Sequence, residues 1–306
     1  MTQTWLWFSF VILVAAMLAV DLGVLGGRAH KPSLRESALW SAAWIGLALA
    51  FGGVIWAAQG PDRALLYLTG YVLEKSLSID NLFVFLVIFK FFDIGNDRRP
   101  RVLHWGILGA IVMRFVFIFA GVSLIRRVRW ILPLFGVILF WTGGKMLLSK
   151  EARRDPRAHP VLRLLRKVLP VTESLHGQAF FTRVGGALNA TPMFAALLVI
   201  EASDLIFAAD SIPAALAVTP DLFLVYTSNI FAVMGLRALY FLLESSLSRF
   251  RYLKFGISFA LIYVGAKLLV HPWLEIPSAS SLAVIVGALS ASVAASQFAT
   301  ARARSE

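Results

Sequence analysis

The sequence predicts an all-α polytopic membrane protein of about nine transmembrane helices with two inverted three-helix repeats. Three observations carry that expectation. Of 306 residues, 59% are hydrophobic and 15% charged, with a mean hydropathy of +0.78, against about 25% charged in ordinary soluble domains. The apolar residues gather in runs of roughly the 20 positions that cross hydrocarbon as a helix. Finally, EKSLSIDN at 74–81 returns as DLIFAADS at 204–211, each inside an apolar run where an ionised carboxylate is costly.

The runs fall at 5–26, 37–57, 64–90, 102–123, 130–149, 191–213, 221–244, 252–270 and 281–300. Helices are expected because hydrocarbon cannot satisfy exposed backbone, and no run alternates as a barrel strand would. The first run has its basic residues, Arg28, Lys31 and Arg35, behind it. A secretory signal has them in front, so this segment is expected to stay in the mature protein. The expected organisation is helices 1–2 in 1–62, a first repeat in 63–149, a basic cytoplasmic linker in 150–190, a second repeat in 191–270, and a last helix with a basic tail in 271–306. Within the linker, VLRLLRKVLP has the pattern of an interfacial helix on an anionic leaflet, with a solvated cytoplasmic linker as the equal alternative.

The net charge of +12 is distributed by topology rather than for nucleic acid. With the N-terminus outside, 19 of the 29 Lys and Arg are cytoplasmic, six lie within helices, and four, Arg63 and Arg126, Arg127 and Arg129, are outside. The positive-inside rule thus selects an outside N-terminus and a cytoplasmic C-terminus. Cysteine is absent, which removes disulfides and thiolate metal sites. The five histidines lie in loops or at helix ends.

A shift of 130 residues lays Glu74 on Asp204, Asp80 on Asp210 and Asn81 on Ser211. Slightly smaller shifts lay MRFVFIF (113–119) on LRALYFL (236–242), matching Arg114 to Arg237, and TGGKMLL (142–148) on VGAKLLV (264–270), matching Lys145 to Lys267. Three helices per unit is an odd number, so the second unit enters from the opposite side. Inverted repeats with ionisable groups at their interface are a common build of secondary transporters.

Six acids, Asp21, Glu74, Asp80, Glu201, Asp204 and Asp210, lie well within the predicted spans, and Glu244 lies near the end of the seventh. At roughly 2.5–3.5 kcal/mol each, the six would cost about 15 kcal/mol if left charged and alone. Pairing with Lys75, Lys90, Arg114, Lys145, Arg237 and Lys267 is one remedy, though Lys75 and Lys90 are read as snorkelling or facing away; binding a cation is another. At about 100° per residue, Glu201 and Asp204 share one helix face, as do Glu74 with Asn81 and Asp204 with Ser211. Pro213 is expected to open the helix beside Asp210 and release carbonyl ligands. Carboxylates, a carboxamide and a hydroxyl without thiolate or imidazole form a hard-oxygen set suited to Mn²⁺, Ca²⁺ or Mg²⁺. Crowded carboxyls also bind protons, so exchange of metal for protons is the natural coupling. Lys145 and Lys267 are candidate tethered cations for the site between metal ions.

GYVLEKSLSIDNLFVF (70–85), WGILGAIVMRFVFIFAG (105–121), IEASDLIFAADSIPAALAVT (200–219) and YTSNIFAVMGLRALYFLL (226–243) resemble the TerC family of integral membrane proteins, its Alx-type members included. AVDLGVLG (19–26), with Asp21, is similar to the end of that family's first helix. Ile79 and Ala209, each preceding an aspartate, are mild departures from the family's pattern. The resemblance implies a bacterial inner-membrane manganese exporter within the LysE-type transporter superfamily, and a link to tellurite resistance. It implies Asp21, Glu74, Asp80, Glu201, Asp204 and Asp210 as transport acids, with Asn81 and Ser211 beside the two aspartates.

The leading expectation is therefore export of Mn²⁺ as cargo, with the bilayer as partner and neither a permanent cofactor nor nucleic acid. An oxyanion cargo sits badly with six carboxylates. A non-transporting assembly or stress-resistance factor, whose acids serve helix packing, is the alternative. No nucleophile with a partnered base, nucleotide loop or metal-protease motif occurs, so no enzyme is expected.

Overall fold

In a computed structural model the described residues are 2–25, 33–127, 131–148, 170–172, 175, 177–184, 186–244, 252–270, 273–274 and 276–305. Within them, the side chains of 2–3, 21–25, 79–80, 83, 125–126, 131–132, 209–210, 278 and 300–305 lie outside the description. The helices are α1 (Thr2–Leu25), α2 (Leu34–Gln59), α3 (Pro61–Phe91), α4 (Arg99–Arg127), α5 (Ile131–Leu148), α6 (Pro192–Val218), α7 (Leu222–Val233), α8 (Leu236–Glu244), α9 (Leu253–Val270) and α10 (Ser278–Ser305). A hairpin, β1 (Phe181–Val184) with β2 (Ala187–Ala190), precedes α6.

Local chemistry sets several helix starts. Ser33 and Glu36 form a reciprocal capping box at α2, and proline occupies the first turn of α3 and α6. Asp221 caps α7 by accepting from Phe223 N (2.9 Å) and Leu224 N (3.1 Å), and it also pairs with Arg63. Asp221→Ala is expected to cost about 1–2 kcal/mol, whereas Asp221→Asn, which keeps the acceptor, costs under about 1 kcal/mol because the ion pair is partly exposed. Unfolding midpoints of the two variants check the difference.

Among the described residues, α2, α4, α6, α9 and α10 are each long and apolar enough to span a membrane, and α7 with α8 makes a sixth if counted as one bent span. α3 is 31 residues long but carries Glu74, Lys75, Asp80 and Lys90. The described apolar stretches of α1 and α5 are shorter, Thr4–Val20 and Pro133–Leu148. The chain is thus an all-α, multi-pass membrane protein.

Helix packing is close where side chains are small. α5 lies along α9, where a Cβ on Gly143 would meet Ser258 O at 2.8 Å and one on Gly265 would meet Phe140 N at 2.6 Å. α3 packs on α6 and α7, and α4 packs on the same two helices. An aromatic cluster of Phe10, Phe51, Tyr67, Phe223 and Phe231 fastens α1 and α2 to this group. Outward faces are apolar: Val112, Val116 and Phe119 of α4 are 64%, 56% and 55% exposed, as a lipid-facing stripe requires.

Two expectations are corrected. The predicted single helix over 221–244 is α7 and α8, which meet at 41°. The helix with Pro213 runs unbroken to Val218. A proline removes one hydrogen bond, which packed neighbours in a membrane protein tolerate. A residue at φ +79, as at Gly235, leaves the helical region altogether. The linker region holds a feature that the sequence analysis did not name. Its end is a hairpin, in which Val184 pairs with Ala187, and the sequence between them is Gly-Gly. That dipeptide between strand-like residues was its sequence signal. The predicted interfacial helix over 161–170 lies almost wholly outside the described residues, as do most of 126–130.

Candidate ion site

Arg114 stands on the inner face of α4, opposite the lipid-facing stripe, with none of its surface exposed. It donates through Nη1 to Glu74 of α3 and, at 2.8 Å, to Asn229 Oδ1 of α7. Nη2 reaches Asp204 Oδ1 of α6 at 3.2 Å. One guanidinium therefore ties four helices together. A buried charge is tolerable only with partners of this kind, and the planar five-donor fork of arginine can serve three acceptors where lysine could not.

The network is only half satisfied. Glu74 Oε2, Asp204 Oδ2, Arg114 Nε and Asn229 Nδ2 are buried without a hydrogen-bond partner among the described residues. So are the hydroxyls of Ser78, one turn along α3 from Glu74, and of Ser211, two turns along α6 from Asp204. Asn81 is buried on α3 two turns after Glu74. Each of the two helices thus presents an inward stripe headed by a carboxylate and followed by small polar groups.

Glu201 lies one turn before Asp204 and packs against α4. A Cβ on Gly109 would run into its carboxylate, so this glycine supplies the room that the acid occupies. Glu201 is partly buried and forms no hydrogen bond or ion pair among the described residues. Glu74, Asp204 and Glu201 carry three formal negative charges against the single positive charge of Arg114, leaving two negative among these four groups.

The side chains of Asp21, Asp80 and Asp210 lie outside the described residues; their backbones belong to α1, α3 and α6. Among the described residues no group of three or more His, Asp or Glu side chains closes on one point. Arg237 is buried on α8. The paired lysines sit elsewhere. Lys145 is exposed on α5, and Lys267 donates to Ser281 Oγ at 2.8 Å. Neither forms an ion pair with an acid among the described residues, so neither is brought to the site as a tethered cation. Glu244 of α8 pairs with Arg99 at the start of α4.

Three contributors escaped the sequence reading. Asn229 is an amide inside a buried apolar helix, and its cost in that setting was the available signal. Gly109 is one of several glycines in α4 and could not be singled out. Lys75, read as snorkelling or facing away, instead turns inward and donates to Ala232 O and Met234 O.

A family model described as "Integral membrane protein TerC family" matches residues 59–304. The chain belongs to the TerC family. This TerC-family chain is 46% identical over 291 residues to an uncharacterised membrane protein of Myxococcus xanthus, covering 95% of the chain and 91% of that relative. It is 44% identical over 293 residues to Alx of Escherichia coli strain K12, a proposed membrane-bound redox modulator, covering 93% of the chain and 91% of Alx. An uncharacterised membrane protein of Rickettsia bellii is 39% identical over 280 residues. No solved structure matches the chain. The family match includes the Arg114 network and both acidic stripes, and leaves α1 and almost all of α2 outside it.

Proposed function

We propose that this TerC-family protein exports a divalent cation, manganese foremost, across the bacterial inner membrane, with protons as the exchanging ion. The observation that carries the reading is the half-satisfied network on Arg114. Two buried carboxylates share one guanidinium, each keeps an unpartnered oxygen, and Glu201 adds a further acid one turn away. A residual formal charge of two negative is what one divalent cation neutralises. The donors are hard oxygens, which suit Mn²⁺, Ca²⁺ and Mg²⁺ over softer ions. Asp80 and Asp210, farther along the same helices, extend the set. No bound group is required between transport events, because Arg114 supplies positive charge in the resting site.

The reading includes nine transmembrane segments, counting α7 and α8 as one, with the N-terminus outside and the C-terminus cytoplasmic. It also includes two inverted units, α3–α5 and α6–α9. Packing supports the second point. α3 meets α7 and α4 meets α6, while α3 meets α6, α4 meets α7 and α5 meets α9. Exchanging the two units maps this set of contacts onto itself, as a pseudo-twofold axis in the membrane plane would. With no cysteine, the chain has no thiol to exchange. A redox role of the kind ascribed to Alx would reach this protein through the ion that it moves.

In manganese-loaded cells, Asp80→Asn and Asp210→Asn are expected to raise intracellular manganese several-fold while the protein still accumulates in the membrane. Uptake into inside-out vesicles with Mn²⁺, Ca²⁺ and Mg²⁺ in competition then ranks the ions. The second reading, in which the acids serve helix packing in a non-transporting assembly factor, is favoured by one observation, the direct pairing of Arg114 with Glu74 and Asp204. Normal accumulation with unchanged manganese in both variants would establish it over export.

A further inference from the structure

We propose that the break between α7 and α8 is a monovalent-cation site built of backbone carbonyls, and that the protein fills it with a cation of its own, the Lys75 ammonium. The helix turns by 41° across Met234 and Gly235. Gly235 holds φ +79, and a Cβ there would stand 2.6 Å from Trp44 Cδ1, so conformation and packing both pin the turn. From α3, Lys75 Nζ donates to Ala232 O at 3.1 Å and to Met234 O at 3.4 Å, one carbonyl on each side of the last helical residue, Val233.

The chemistry of the place is that of a cation site. Where a membrane helix is interrupted, its last carbonyls lose their helical partners, and lipid offers none in exchange. They also form the negative end of the half-helix dipole. In transporters with discontinuous helices, such carbonyls coordinate monovalent ions. A neutral donor would suffice to cap two oxygens, yet the chain brings a full charge here. Among the described residues, that charge forms no ion pair with any carboxylate; both of its hydrogen-bond partners are carbonyls. The dipoles of the break are therefore what balances it. An ammonium is a compact charge with three donors on a flexible stem, which fits scattered oxygens better than a planar guanidinium does.

The placement also joins the two unusual features of the fold. Glu74 and Lys75 are adjacent, so α3 grips α7 twice, through Arg114 at Asn229 and directly at the break one turn later. The tethered cation thereby holds the Asn229 amide in its position against Arg114.

The test uses the purified full-length protein in lipid nanodiscs, with a chelator present and thermal unfolding as the readout, so it does not depend on which divalent ion is carried. Midpoints are measured in N-methylglucamine chloride and then with ammonium, methylammonium, potassium or sodium at equal ionic strength. The wild type is expected to be indifferent to the monovalent ion. Lys75→Ala is expected to unfold roughly 5 °C lower in N-methylglucamine and to regain at least half of the loss with ammonium or another of the small cations. An unchanged midpoint, or a loss that none of the four ions restores, overturns the proposal and leaves a plain hydrogen-bond cap. If the alanine variant does not accumulate, Lys75→Gln, which keeps a donor but no charge, replaces it. A glutamine variant as stable as the wild type equally overturns the site.

Discussion

Arg114→Met is expected to cost about 3–5 kcal/mol and to deplete folded protein from the membrane, because it leaves Glu74 and Asp204 charged, buried and without a counter-ion. The sign of the effect is tied to charge rather than to shape. Methionine fills much of the same volume, so a packing role alone would lose far less. Combining Arg114→Met with Glu74→Gln and Asp204→Asn removes the stranded charges and is expected to recover most of the stability. Arg114→Lys is expected to recover little, since a point ammonium cannot hold three acceptors from three helices in the geometry of a guanidinium. Unfolding midpoints and membrane accumulation of the three variants decide the matter. Wild-type stability in Arg114→Met would show that the two acids are uncharged in the resting protein, and the account of the site would fall with it.

Gly265→Val is expected to come next in size, at about 3 kcal/mol, the upper end of what overpacking costs. A Cβ at this position would stand 2.6 Å from Phe140 N and 2.8 Å from Gly136 O. Those neighbours are backbone atoms of α5, so no rotamer change relieves the contact. The whole of α5 must move away from α9 along the interface that both helices share. Gly144→Val provides the control. It lies on the same helix as Gly136, yet a Cβ there meets nothing within 4 Å, and its effect is expected to stay within about 0.5 kcal/mol. Equal stability in the two variants would mean that α5 and α9 do not rely on close backbone approach.

Much of the architecture was legible because hydrophobic runs and their punctuation are local properties. The apolar run at 37–57 is α2, that at 64–90 is α3, and both acidic stripes stand on helices as periodicity required. The pairing of Arg114 with acids of α3 and α6 was also within reach, because a buried guanidinium in a greasy helix must find carboxylates somewhere. Which carboxylates, and how many, was not. The competition between Pro213 and Gly235 as the place of the break shows why. Sequence rules attach a cost to proline, but whether that cost is realised depends on neighbouring helices. The turn at Gly235 is held by Trp44 from α2 and Lys75 from α3, both remote in sequence. The lysines tell the same story. Lys145 and Lys267 match in the repeat, yet one faces outward and the other meets Ser281, because a helical register is set by the helices packed against it.

By itself, the sequence determined an α-helical membrane protein with an excess of buried acid on two helices, since transfer of charge and backbone into hydrocarbon is priced residue by residue. Only the tertiary structure decided that Arg114 and Asn229 complete the acid cluster, that Gly109 makes room for Glu201, and that Lys75 enters the broken helix. Those outcomes are distances between groups far apart in the chain, and no local pattern encodes which side of a helix meets which partner.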